Sequence, residues 1–93
     1  MKKNRNEIQV IVDFLNCVQE ADSESQVSFI MRKVNITHSK YREISEYLIS
    51  NGMMEIVENG EKKILRLTSK GANFIRDYER FKKIIEDNYG FKI

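Results

Sequence analysis

Apolar positions recur with a helical period in four stretches of this 93-residue chain, and a short stretch between the third and the fourth breaks the rhythm. In residues 4–21, Ile8, Ile11, Val12, Leu15 and Val18 form one stripe, and Val10, Phe14, Cys17 and Ala21 form a second beside it. Asn4 with Glu7 three residues on has the spacing of a capping box and opens this first helix. So wide an apolar arc exceeds what one packing surface covers, and the second stripe calls for the chain's last helix or another subunit. Residues 24–34 carry Val27, Phe29, Ile30 and Val34, with Ser23 and Gln26 at the spacing of another capping box. In residues 38–51, Tyr41, Ile44 and Leu48 recur at i, i+3 and i+7, and Asn51-Gly52 offers the left-handed position that ends a helix. Residues 68–89 place Phe74, Tyr78, Phe81 and Ile85 at spacings of four, three and four. The opposite face is charged, with Arg76, Glu79, Arg80, Lys83, Glu86 and Asp87, which makes a short coiled-coil seam.

The break lies at 53–67. Two runs of strand-forming residues, Met53 to Glu58 and Glu61 to Leu67, flank Asn59-Gly60, a dipeptide that favours the tight turn of a β-hairpin. Between the second and third helices stand only Asn35-Ile36-Thr37. Asn35 tolerates left-handed geometry, Thr37 suits an N-cap, and Ile36 with Tyr41 has the spacing of a hydrophobic staple. Two short helices joined so tightly form a helix-turn-helix pattern.

Without proline and with four glycines, the chain offers few breaks; Leu, Ile, Val and Phe total 27 of 93 residues, enough to build one core. A net charge of +2 is too small to argue for nucleic acid, so the distribution of charge must decide. Cys17 stands alone, which leaves no disulfide and no cysteine framework for zinc, and its expected role is a buried thiol. With no signal peptide and no apolar run of spanning length, the expected setting is cytoplasmic, at the nucleoid if DNA is the partner, with no membrane, metal or cofactor.

On the third helix, Ser39, Arg42, Glu43, Glu46 and Ser50 fall opposite the apolar stripe, with His38 and Lys40 flanking the first turn. A helix whose first turn is exposed, small and basic can enter a major groove N-terminus first, its amides and dipole toward phosphate. Thr37, His38, Ser39, Lys40 and Arg42 are therefore the candidate DNA-facing residues, with Arg42 best suited to a bidentate guanine contact. Arg32 and Lys33 at the end of the second helix, and Lys62, Lys63 and Arg66 on the returning strand, are candidates for phosphate. A hairpin directly after a reading helix is where a wing sits, although lysines on an edge strand also serve to block aggregation.

Run to Tyr89, the last helix is about 33 Å long, more than so small a domain needs. Its seam of Phe74, Tyr78, Phe81, Ile85 and Tyr89, with Val10 and Phe14 of the first helix, is expected to form a homodimer interface. The alternative is that it folds back over the first helix within one chain.

Helix, helix-turn-helix, hairpin and long final helix is the order of the winged helix fold. Ile44-x-x-x-Leu48-Ile49-x-x-Gly52-Met53-Met54-Glu55, the short hairpin and the Leu67-Thr68-x-Lys70-Gly71 junction resemble the small archaeal winged helix-turn-helix DNA-binding proteins that dimerise through a C-terminal antiparallel coiled coil. The junction is also similar to that of the PadR and MarR groups. The resemblance runs from about Asn6 to Asp87. It implies a single domain, mainly α with a small β-hairpin (α+β), ending in a long dimerisation helix. The implied function is a dimeric transcriptional regulator or nucleoid-associated protein that binds double-stranded DNA, with the third helix in the major groove and the wing on the backbone. The chain departs from that pattern in a final helix short for a long coiled coil and in two glutamates, Glu43 and Glu46, on the reading helix.

Those glutamates leave the outer face of the third helix close to neutral, which suits a second class, a winged helix protein–protein interaction module without DNA binding. An enzyme is not expected: His38 and Cys17 lie on different helices, carboxylates are scattered among lysines, and no glycine-rich phosphate loop or metal-ligand spacing occurs. RNA would call for an aromatic platform that the sequence lacks.

Overall fold

A computed structural model describes residues 6–21 and 26–92. In chain order it contains α1 (Glu7–Glu20), α2 (Gln26–Val34), α3 (His38–Ser50), β1 (Met54–Asn59), β2 (Lys62–Leu67) and α4 (Ser69–Tyr89). The fold is mainly helical with one antiparallel hairpin and a long last helix, as the apolar pattern predicts.

The first helix opens later than expected. Asn6 Oδ1 accepts from the Gln9 amide at 2.8 Å and the Asn6 amide donates to Gln9 Oε1 at 3.3 Å, so the capping box is Asn6–Gln9. Asn4 lies outside the described residues, as do Ser23 and the expected start of the second helix at 24. The wide apolar arc of α1 has a simple cause: this helix lies against α2, β2 and α4 at once. Val12 is buried, and Phe14, Leu15, Cys17 and Val18 are buried in one cluster with Ile30 and Val34 of α2, Ile44 and Leu48 of α3, and Met54 of β1. The expectation that Phe14 belongs to a dimer interface is corrected. It is 0 % exposed, its ring 5.4 Å from that of Tyr41, because α3 of the same chain covers it. Val10 is half-buried against the same core.

The α2–α3 turn follows its sequence. Asn35 takes φ 63° and the Ile36 amide donates to the Met31 carbonyl at 3.1 Å, while Thr37 Oγ1 accepts from the Lys40 amide at 3.1 Å. At the other end of α3, Gly52 takes φ 77° and the Met53 amide reaches back to the Leu48 carbonyl at 2.9 Å, a Schellman closure.

The hairpin forms, but its tip is not Asn-Gly. Asn59 pairs with Lys62, so Gly60 and Glu61 are the two turn residues, and only Gly60 has a positive φ, at 68°. One positive φ at the first turn position is the pattern of a II′ turn, not the I′ turn that Asn-Gly favours. Cross-strand chemistry explains the choice. The observed register sets Met54 against Leu67, Ile56 against Leu65 and Val57 against Ile64, with Glu55 facing Arg66 and Glu58 facing Lys63. An Asn59-Gly60 tip would place Glu58 opposite Glu61 and Ile56 opposite Lys63, trading apolar and opposite-charge pairs for mismatches.

The hairpin returns to α4 through a stitched junction. Thr68 caps α4, its Oγ1 accepting from the Gly71 amide at 3.2 Å and donating to the Gly52 carbonyl at 2.5 Å. Lys70 Nζ donates to the Asn51 carbonyl at 2.7 Å, capping the end of α3. Gly71 is buried against Met53, whose carbonyl also accepts from the Thr68 amide at 3.1 Å. The Leu67-Thr68-x-Lys70-Gly71 motif thus fixes α4 to the last turn of α3.

Along α4, Phe74 and Ile75 pack on the core, and Tyr78 and Lys82 share a shallow recess with Gln9, Val12 and Asn16 of α1. Farther on, Phe81, Ile84 and Tyr89 are exposed, as is Phe91 beyond the αL cap at Gly90. The first half of the helix folds back over α1, and much of the apolar second half remains uncovered.

Candidate nucleic-acid interface

The outer surface of α3 begins at its capped N-terminus. Thr37 holds the first turn through its hydroxyl, leaving His38 and Ser39 exposed at the positive end of the helix dipole. The His38 ring lies 6.2 Å from that of Tyr41, with 25° between their planes, and Tyr41 in turn meets Phe14. This series of rings anchors the surface histidine to the core. Beyond it, Ser39, Arg42, Glu43, Glu46 and Ser50 line one open depression along the helix, as their spacing predicts. Tyr47 lines it too, at 55 % exposure. Tyr47 is not among the residues expected to face DNA, yet its spacing of four from Glu43 places it on the same face.

Charge on this face is partly used up. Lys40 Nζ lies 3.7 Å from Glu43 Oε2, whereas the Arg42 guanidinium has no ion-pair partner among the described residues. Arg32 and Lys33 are exposed in the last turn of α2, and Lys33 Nζ stands 5.8 Å from the centre of the Phe29 ring.

On the hairpin, Lys62 and Lys63 are exposed beside the tip. Arg66 is differently placed from the expectation of a free phosphate-binding cation. Its Nη2 and Nε donate to Glu55 Oε2 at 2.8 and 3.1 Å, directly across the strands. Such an exposed pair contributes at most about 1 kcal/mol, so the guanidinium serves the register in the free protein and can be drawn off at small cost. The hairpin is also tied to α2 by Gln26, which is only 7 % exposed. Gln26 Nε2 donates to the Leu65 carbonyl and Gln26 Oε1 accepts from the Leu65 amide, both at 2.9 Å. Both ends of that amide are therefore engaged by one backbone residue.

The profile of the winged helix-turn-helix family matches residues 4–86. The chain belongs to the winged helix-turn-helix family. Among solved structures it is similar to Sso10a-2, a DNA-binding protein from Sulfolobus solfataricus, with a TM-score of 0.71 and 21 % identity over 92 % of this chain and 87 % of that one. AF1382 from Archaeoglobus fulgidus superposes with a TM-score of 0.65 and 25 % identity, covering 87 % of this chain and 91 % of its own. A winged-helix DNA-binding protein from STIV gives a TM-score of 0.62 and 20 % identity over 89 % and 95 % of the two chains. A comparison with curated proteins by sequence gives no match.

In this winged helix-turn-helix chain α2 and α3 form the helix pair and β1–β2 the wing. Cys17 and Tyr41 lie inside it, and burial raises the pKa of each above its ordinary value, helped at Cys17 by Glu20 and Asp13. Among the described residues no three His, Cys, Asp or Glu side chains gather as a metal-ligand set, and no helix is long and apolar enough to cross a membrane.

Proposed function

We propose that this winged helix protein binds double-stranded DNA as a homodimer, in the role of a transcriptional regulator or a nucleoid-associated protein. The observation that carries this reading is the continuous exposed face of α3, which starts at a capped N-terminus and carries Arg42, followed at once by a wing with Lys62 and Lys63 beside its tip. A helix presented this way fits a major groove, with Arg42 toward guanine and Ser39 and His38 toward bases or phosphate. Arg32, Lys33, Lys62 and Lys63 supply phosphate contacts on either side. Tyr47 joins them as an aromatic edge toward the duplex. The DNA binding named for the Sulfolobus solfataricus and STIV proteins supports the same reading.

Dimerisation rests on α4. Phe81, Ile84 and Tyr89 stay exposed on a helix of 21 residues, next to the half-buried Tyr78 and Ile85. A second copy of the same helix covers such a seam symmetrically. Phe14 takes no part, since it is buried inside its own chain, whereas the half-buried Phe74 lies at the start of the same seam.

The test separates base reading from phosphate binding. Arg42→Ala should relax preference at one base pair by about 1–3 kcal/mol, while Lys62→Ala should weaken all sequences alike and lower the salt slope by about 1. If neither variant changes binding to any duplex, the near-neutral face of α3 belongs instead to a protein partner.

A further inference from the structure

Among the described residues strand β2 has β1 on one side only, which leaves its other edge with backbone donors and acceptors to be satisfied. Gln26 fills that place at a single point. A primary amide offers one acceptor and donors side by side, the same combination that the peptide of a neighbouring strand presents, and Gln26 bonds both the amide and the carbonyl of Leu65 at 2.9 Å. The contact spans 39 residues of sequence, from the first residue of α2 to the middle of the returning strand. It grips β2 two residues inside Lys63, and α2 leads through the Asn35-Ile36-Thr37 turn straight into α3. One buried side chain therefore links the wing to the helix pair.

We propose that Gln26 is a positioning residue for the wing, holding Lys62 and Lys63 where they meet phosphates while α3 occupies the groove. This rests on the DNA-binding reading above and adds that the two halves of the interface are coupled through one side-chain amide. A two-stranded ribbon is marginal by itself and takes its orientation from what backs it. Without Gln26 the strand pairing between β1 and β2 and the packing of Met54, Leu65 and Leu67 on the core are intact, yet the ribbon loses its hydrogen-bonded tie to α2. The chemistry is particular to glutamine: leucine offers neither bond, and glutamate sets a second acceptor against the Leu65 carbonyl.

The experiment measures affinity for mixed-sequence duplex DNA across a range of salt for the full chain, Lys62→Ala/Lys63→Ala, Gln26→Leu, Gln26→Glu, and each Gln26 variant combined with the lysine pair, with circular dichroism on every sample. The lysine pair should make the slope of log affinity against log salt shallower by about 2. Gln26→Leu should lose a similar part of the slope, and adding the lysine changes to it should remove nothing more; Gln26→Glu, which keeps the side-chain volume, should shift the same way and is decisive if Gln26→Leu does not fold. A folded Gln26 variant that keeps the full slope, and in which the lysine changes still cost as much as in the parent, overturns the positioning role and leaves the DNA reading standing. A parent protein that binds no duplex, or whose slope ignores the lysine pair, overturns the wing reading and the positioning role together.

Discussion

Replacing Gly71 by alanine sets two known effects against each other, and the structure decides between them. In a helix, alanine is favoured over glycine by about 1 kcal/mol, so propensity alone predicts stabilisation. A Cβ at Gly71 would lie 2.2 Å from the Met53 carbonyl oxygen, where real Cβ atoms essentially never come within 3.0 Å. The obstacle is backbone, so no rotamer change relieves it. Either α4 lifts or Met53 moves, and both disturb the bond from the Thr68 amide to that carbonyl and the ties from Thr68 to Gly52 and from Lys70 to Asn51. Overpacking of this kind costs about 1–3 kcal/mol, and each disturbed hydrogen bond about 1 kcal/mol. Against the propensity gain the net is a loss of about 3–5 kcal/mol. For a domain of this size that is a fall in Tm of at least about 12 °C, measured by circular dichroism at fixed protein concentration. An unchanged or higher Tm would show that the junction yields freely and would refute its role in fixing α3 against α4.

Three further outcomes follow from named contacts. Phe81→Glu combined with Tyr89→Glu should halve the mass in solution while leaving helicity intact, because both side chains are exposed in the single chain; an unchanged mass removes this seam from the dimer. Glu43→Gln with Glu46→Gln should tighten binding to random duplex by roughly three- to tenfold, since two carboxylates no longer face phosphate, and no change would turn the α3 face away from DNA. Burial lifts the Cys17 thiol above its ordinary 9.0 and the Tyr41 hydroxyl above its ordinary 10.0. The unfolded chain therefore loses these protons first as pH rises, so their contribution to stability is complete below about pH 9 and declines above it. Urea unfolding should track that decline, and Cys17→Ala should flatten part of it; parallel curves for the two proteins would contradict the cause.

Much of the fold is legible in local chemistry. The Asn35-Ile36-Thr37 turn and the Gly52 closure each depend on residues a few positions apart, and each forms where its sequence predicts. The misses are contacts between distant segments. Phe14 reads as surplus on a helical wheel because the wheel cannot show that α1 is wrapped on several sides at once. The hairpin register is legible in the sequence through its cross-strand pairs, which outweigh the Asn-Gly turn preference. Gln26 gave no such signal, since nothing near it in the chain points to Leu65. Among the candidate DNA residues, the pairing of Arg66 is invisible to local pattern because its partner Glu55 stands on the other strand, and the exposure of Tyr47 depends on the face it shares with Glu43.

The most direct test of the central claim is a titration of the full chain against random and mixed-sequence duplex DNA at two salt concentrations, with its mass in solution determined on the same sample. A DNA-binding winged helix dimer should show twice the chain mass and an affinity that falls steeply between the low and the high salt. A monomer that retains no duplex at low salt would contradict the claim and leave the winged helix as a surface for protein contacts.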